Sequence, residues 1–281
     1  MDFSEYFNPS YKNILHLEAT NKKDQITALK KMPLFRIMRL KDLFEWGRSG
    51  LNVLVLVEKW KDPWERALFK QRIQCDDGFL NLSNFRYYGQ CWTKNEKESE
   101  YMWHVYNQEK ELCVRVEVNA YDLWDSLIKH IEKFEKGIPK ASCFCGNVQY
   151  YNEAKLKEFL ENESIEGRCF LKNFEETLFV KREHFSYENE FRIIYTPISN
   201  FSKDKLKNQD LFKFGMEASR INSILLQPIF NSNSVEYEDV SCFFEVIKKQ
   251  LRKIGFNCKI ERSVIYDYPK LKVKYSAKEK L

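Results

Sequence analysis

Residues 51–57 read Leu-Asn-Val-Leu-Val-Leu-Val, a nearly continuous apolar run that follows Gly50. A run of this length and composition fits a strand buried on both faces. It empties into Glu58-Lys59-Trp60-Lys61-Asp62-Pro63-Trp64-Glu65, where Pro63 holds Asp62 extended. At 281 residues the chain has room for one large domain or two small ones around a real core.

The neighbouring segments supply the rest of the sheet. Leu34, Arg36 and Met38 sit at the two-residue spacing of a strand, and Lys41–Trp46 reads as a helix closed by Gly47 and Gly50. Further strands are expected at Phe85–Trp92, Leu112–Val118, Val148–Tyr151, Phe191–Tyr195, Ile221–Gln227 and Cys258–Ile265. Helices are expected at Glu96–Tyr106, Ala120–Phe134, Glu153–Glu161 and Val240–Ile254, the last stopped by Gly255. The predicted fold is α+β, a mixed and largely antiparallel sheet with flanking helices. Residues 1–32 form an N-terminal segment and 33–269 the α+β domain, with a sub-boundary near 197–210. Residues 270–281 form a basic tail (Lys270, Lys272, Lys274, Lys278 and Lys280).

Composition narrows the function classes. Aromatic residues make up 15% and hydrophobic residues 43%, a globular profile. With only 9 glycines, Gly-rich phosphate loops are not expected. Net charge is +5, which over this length argues weakly for nucleic acid. No window approaches the roughly 20 apolar residues that span a bilayer, so no membrane contact is expected. The opening MDFSEYFNPS has no apolar core, so a cytoplasmic protein with reduced cysteines is expected. The 8 cysteines include Cys143-Phe144-Cys145 but no pair at zinc spacing, so they read as buried free thiols and no metal site is expected.

Three constellations carry chemistry. In the first, Asp62 and Glu65 with two tryptophans could hold a cation or stack a base. The same residues match helix capping, with Asp62 at the N-cap, Pro63 at N1 and Glu65 at N3. In the second, Cys91-Trp92-Thr93 precedes a helix whose face carries Ser99, Trp103 and Tyr106, an aromatic wall with a hydroxyl suited to a flat ligand. The third is KREHFSYENEFR, residues 181–192. On a strand, Glu188, Glu190 and Arg192 share one face and Tyr187, Asn189 and Phe191 the other. Adjacent carboxylates repel and can raise one pKa, which Arg192 would offset. The competing reading is a solvated strand face.

Taken in order, the motifs are Arg36, Asp62-Pro63-Trp64-Glu65, Cys91-Trp92-Thr93 with Glu98-Ser99 and Met102-Trp103, Val148-x-Tyr150, Phe179-x-Lys181 and Tyr187-Glu188-Asn189-Glu190-Phe191-Arg192. This order resembles the bacterial domain-of-unknown-function family numbered twenty-nine seventy-one, from about Pro33 to about Ile265. Lys61 departs from it, since that family usually carries Asn before Asp-Pro. More distantly, the order resembles ADP-ribosyltransferases. That resemblance implies NAD as co-substrate, Arg36 on its pyrophosphate or ribose, and Trp92, Thr93, Ser99 and Trp103 shaping the nicotinamide pocket. It also implies Glu190 as the carboxylate that stabilises the cationic ribose and Glu188 as the residue that orients an acceptor, protein or nucleic acid.

The expected function is therefore an NAD-using transferase or NAD glycohydrolase, of the kind used as toxins or phage-defence effectors. Two alternatives come from the residues. A metal-dependent nuclease could use Asp62, Glu188 and Glu190 as oxygen ligands with help from Lys181. A non-enzymatic binding module for nucleic acid or protein could use the basic tail and exposed aromatics.

Overall fold

The computed structural model describes residues 13–15, 17, 22–75, 78–81, 86–107, 111–134, 143–162, 175–197, 203, 205–228 and 237–267. The N-terminal part contributes β1 (Asn13–Leu15) and α1 (Lys22–Lys31). Then come β2 (Pro33–Arg39), α2 (Leu40–Ser49), β3 (Leu51–Leu56), a hairpin of β4 (Arg72–Cys75) and β5 (Gly78–Asn81), and β6 (Tyr88–Thr93). The middle holds α3 (Glu100–Tyr106), β7 (Cys113–Asn119), α4 (Ala120–Phe134), β8 (Cys143–Asn147), β9 (Gln149–Tyr151) and α5 (Glu153–Asn162). The rest comprises β10 (Val180–Arg182), β11 (Glu190–Tyr195), β12 (Leu211–Gly215), β13 (Ile221–Leu226), α6 (Tyr237–Lys253) and β14 (Lys259–Arg262). The fold is α+β, with a mixed, mostly antiparallel ten-stranded sheet. The main path runs β1-β8-β11-β6-β2-β7-β13-β14.

Strand β6 is where this sheet forks. One of its edges pairs with β11 along its whole length. Its other edge pairs with β2 only at Thr93↔Phe35, and with β3 only at Gly89↔Val55 and Tyr88↔Leu56. Strands β2 and β3 thus attach to opposite ends of one neighbour and diverge. Strand β12 pairs with β3 on its far side and so belongs to the same sheet.

A side-chain amide pair takes the place of a ladder inside the fork. Gln90 Nε2 donates to the Val53 carbonyl at 3.0 Å and to Asn52 Oδ1 at 2.8 Å, and the Val53 N–H donates to Asn52 Oδ1 at 2.8 Å. On the edge that faces the fork, both main-chain groups of Val53 are satisfied by side chains, as buried backbone requires, while Lys213 of β12 pairs with it on the other edge.

The fork also explains why β3 is not buried on both faces. Asn52, Leu54 and Leu56 are buried, whereas Leu51, Val53 and Val55 are only half-buried because their side opens onto cavities.

Helices α1, α2, α4 and α6 pack on the core side. Helix α4 buries Leu123, Trp124, Leu127, Ile128 and Ile131 at helical spacing. Its start is set by Asn119, whose Oδ1 accepts the Tyr121 N–H at 2.9 Å. Helix α2 runs through Gly47 and ends at Gly50 (φ 66°). Gly47 is therefore not a stop: a Cβ there would come within 2.5 Å of the Phe256 ring. Among the described cysteines Cys113, Cys143 and Cys145 are buried free thiols, but Cys91 and Cys258 are half-buried and Cys242 is exposed. The basic tail, 270–281, lies outside the described residues.

Candidate active-site cleft

Strand alternation splits β11 and β6 into two chemistries. Phe191, Ile193 and Tyr195 face the core with Trp92 and Tyr88. On the opposite face the register pairs Glu190 with Thr93, Arg192 with Cys91, and Ile194 with Gly89. Residues directly opposite in a ladder share a side. That side is covered by Trp60 and by the small parallel sheet of β9 and β10.

Glu188 and Glu190 of KREHFSYENEFR are consequently not on a wet face. Glu188 is 6% exposed, Glu190 3%, Lys181 8% and Arg192 0%. The strand begins only at Glu190. Glu188 ends a 3₁₀ segment (Glu183–Glu188), and Asn189 turns the chain through a left-handed conformation (φ 43°). The shared strand face expected for Glu188, Glu190 and Arg192 therefore does not exist for Glu188, and Tyr187 and Asn189 do not alternate with it. Asn fits this position because it tolerates left-handed backbone. Asn95 secures the turn, accepting from Asn189 Nδ2 at 3.2 Å and donating to the Tyr187 carbonyl at 2.8 Å.

Glu188 reaches the same cluster through Lys181. Lys181 Nζ lies 2.6 Å from Glu188 Oε2, 3.3 Å from Glu190 Oε2 and 3.4 Å from Glu65 Oε1. Arg192 donates from Nε to Glu190 Oε1 and from Nη2 to Glu190 Oε2, both at 2.9 Å, and also bonds Glu65. Its Nη1 donates to the Leu178 carbonyl at 2.7 Å. Tyr150 Oη accepts the Glu190 N–H at 2.8 Å. Three carboxylates face two cations, so the cluster holds one carboxylate more than its cations balance.

These contacts drive the two acids apart. Burial works against Glu190 ionising, but Arg192 and Lys181 outweigh it and hold the carboxyl at about 2. For Glu188, burial wins over Lys181 and the carboxyl is raised. One acid is held ionised and the other is pushed toward protonation, the pattern by which acid and base roles are divided. A buried ionic cluster is costly to build and is weak evidence for stability, so its placement in a cleft points to a site.

The cleft is a cavity of about 670 Å³ at the β6 fork. It is lined by Glu188, Glu190, Glu65, Asp62 and Lys181, with Thr93, Ser99, Trp60 and Tyr106 also in its wall. Arg36 stands on the opposing strand β2 and faces the same space. Among the described residues its guanidinium makes no hydrogen bond and no ion pair, and burial lowers its pKa. Arginine nevertheless stays charged.

No protein-family model matches this chain, and no curated protein matches it. The family resemblance therefore rests on the order of motifs.

The other expected residues divide. Trp92 borders the cavity but is buried in the core, its Nε1 donating to Gln90 Oε1 at 2.8 Å. Trp103 does not line the cleft: it turns inward and donates to Glu98 Oε2 at 3.0 Å. Helix α3 begins at Glu100, later than the expected Glu96, because Ser99 is still extended. Arg192 lies beneath the cavity wall.

Asp62 caps no α-helix. Pro63 leads instead into short 3₁₀ turns at Trp64–Arg66 and Leu68–Lys70, and Asp62 Oδ1 accepts the Trp64 N–H and an Arg182 Nη2–H, each at 3.0 Å. Glu65 is likewise no capping residue but a member of the ion cluster.

Phe185, Tyr187 and Arg115 also border the cleft and were not anticipated. Phe185 and Tyr187 sit within KREHFSYENEFR and were hidden by reading that stretch as strand. For Arg115, on the alternating strand β7, no local signal distinguishes a cleft residue from a solvent-facing one.

A metal would have to displace bound cations here. Glu188 and Glu190 already accept from Lys181, and Asp62 from Arg182. Among the described residues no helix is long and apolar enough to cross a membrane.

Proposed function

We propose that the chain is an NAD-using enzyme, an ADP-ribosyltransferase or an NAD glycohydrolase. The observation that carries this reading is an unpaired, largely buried guanidinium, Arg36, in one cleft with a paired set of carboxylates, Glu188 and Glu190. An unpaired buried cation is costly unless it receives an anion, and a guanidinium suits a diphosphate in bidentate geometry. The facing carboxylate suits the opposite demand. As the glycosidic C–N bond breaks, nicotinamide leaves with the electron pair and the ribose carbon becomes cationic. Glu190, fixed by three hydrogen bonds from Arg192 and Lys181, offers a negative charge that needs no reorganisation.

Glu188, with its raised pKa, takes the proton of the attacking nucleophile, which is water in hydrolysis or an acceptor hydroxyl, amine or amide in transfer. Tyr106 and Tyr187 at the cleft wall supply aromatic surface for a flat ring. Nicotinamide release would deplete NAD, which accords with a toxin or defence role.

The test is incubation with NAD labelled in both halves, with and without cell lysate, following free nicotinamide and labelled macromolecules. Wild type is expected to release nicotinamide, Glu190→Gln to lose at least 100-fold in rate (about 2.7 kcal/mol), and Arg36→Ala to raise KM. Absence of both products in wild type would overturn the proposal.

A further inference from the structure

A second cavity of about 330 Å³ lies between the diverging strands β2 and β3 and is bounded by α2 and β12. Two residues, Arg36 and Val55, line both this cavity and the larger cleft. The titratable neighbours of Arg36 divide in the same way, with the Cys91 thiol and Tyr106 phenol on the large side and Asp42 on the small side. Arg36 therefore stands at the junction of two spaces. Both volumes fall within the roughly 300–1,000 Å³ typical of small-molecule sites.

The small cavity is otherwise electrically closed. Arg39 makes a two-pronged contact with Asp42, at 2.7 and 3.0 Å. Lys213 lies 3.2 Å from Glu45. The remaining wall is largely apolar, with Met38, Val53, Val55 and Leu211. The one charge in this wall without a hydrogen bond or ion pair, among the described residues, is Arg36 at its inner end. Such a space suits an uncharged ring-bearing group whose only anionic portion reaches back to Arg36.

From this geometry we infer that the site takes a bipartite ligand, a dinucleotide whose diphosphate sits on Arg36 with one nucleoside in each cavity. The inference rests on the NAD reading and extends it: the nicotinamide riboside lies beside Glu188 and Glu190, and the adenosine lies between β2, β3 and β12. Leu211, 44% exposed on β12, then sets selectivity for the dinucleotide over a mononucleotide.

Calorimetric titration of NAD and of nicotinamide mononucleotide tests this. Leu211→Trp, at an exposed position that leaves the fold intact, is expected to narrow the small cavity. It should weaken NAD at least tenfold while mononucleotide affinity changes less than twofold. Val53→Phe fills the same space from the other wall and should act alike, and Arg36→Ala should weaken both ligands. If Leu211→Trp leaves NAD affinity unchanged, or weakens both ligands equally, the two-cavity assignment fails while NAD binding stands. If wild type binds neither nucleotide, the underlying NAD reading fails with it.

Discussion

The guanidinium carbon of Arg192 stands 4.5 Å from the centre of the Trp60 ring. The same ring lies against Gly89, where a Cβ would meet Trp60 Cζ2 at 2.5 Å and Ile194 Cδ1 at 2.8 Å. Trp60 thus links the floor of β6 to the ion cluster. A cation on an aromatic face in a desolvated setting contributes up to about 2 kcal/mol.

Gly89→Ala should consequently destabilise the protein. Alanine ordinarily improves a strand interior by about 0.5–1 kcal/mol over glycine, but here overpacking costs about 1–3 kcal/mol and displaces Trp60. Urea unfolding should show a lower midpoint with an unchanged slope, and Trp fluorescence should shift in the native state.

Arg192→Met should cost more, about 3–5 kcal/mol. Removing the guanidinium leaves Glu190 and Glu65 buried with Lys181 alone, and leaves the Leu178 carbonyl without its donor. Combining it with Glu65→Gln should recover part of the loss, since one uncompensated charge is gone. A double-mutant cycle in denaturant measures this coupling.

Glu190 makes stability sensitive to acid. Its folded pKa of about 2 lies below the ordinary 4.5, so its contribution is fully present above 4.5 and is lost as pH falls through about 2. Over that window the slope from one such group is about 1.4 kcal/mol per pH unit. Subtracting the Glu190→Gln profile from wild type between pH 5 and 2 should reveal that slope.

Glu175 behaves in the opposite sense. It is buried, and desolvation, reinforced by Glu176, pushes its carboxyl up to about 8. The native state holds this proton where the unfolded chain releases it. Its contribution to stability is therefore fully present below 4.5 and is lost as pH rises through about 8. Glu175→Gln should abolish the decline and be the more stable protein at pH 8, by about 2–4 kcal/mol. Melting temperatures at pH 5 and pH 8 check the sign directly.

Sequence patterns located elements where one physical signal dominates. Helix α4 matches its expected bounds, Ala120–Phe134, because its apolar stripe is regular and Asn119 marks its start. What pattern could not show is how unrelated segments meet. Alternation assigned Glu190 and Arg192 to one face correctly, yet carried Glu188 with them because nothing in Tyr-Glu-Asn announced the left-handed turn at Asn189. The Leu51–Val57 run looked doubly buried because hydrophobicity cannot distinguish a wall of packed side chains from the lining of a cavity. Asp62-Pro63-Trp64-Glu65 has the chemistry of a helix cap, and the fold uses it to bring Glu65 to Arg192.

Glu65 and Arg192 are 127 positions apart in the chain. Closing so long a loop precedes any reward from the contact, so the ion cluster belongs to the late, non-local part of folding. A ribosome releasing this chain from its N-terminus exposes Arg36, Glu65 and β6 long before β11 emerges. The cleft consequently cannot be assembled on a nascent or truncated product that stops short of Arg192, and whatever the site does is withheld until Arg192 has been made.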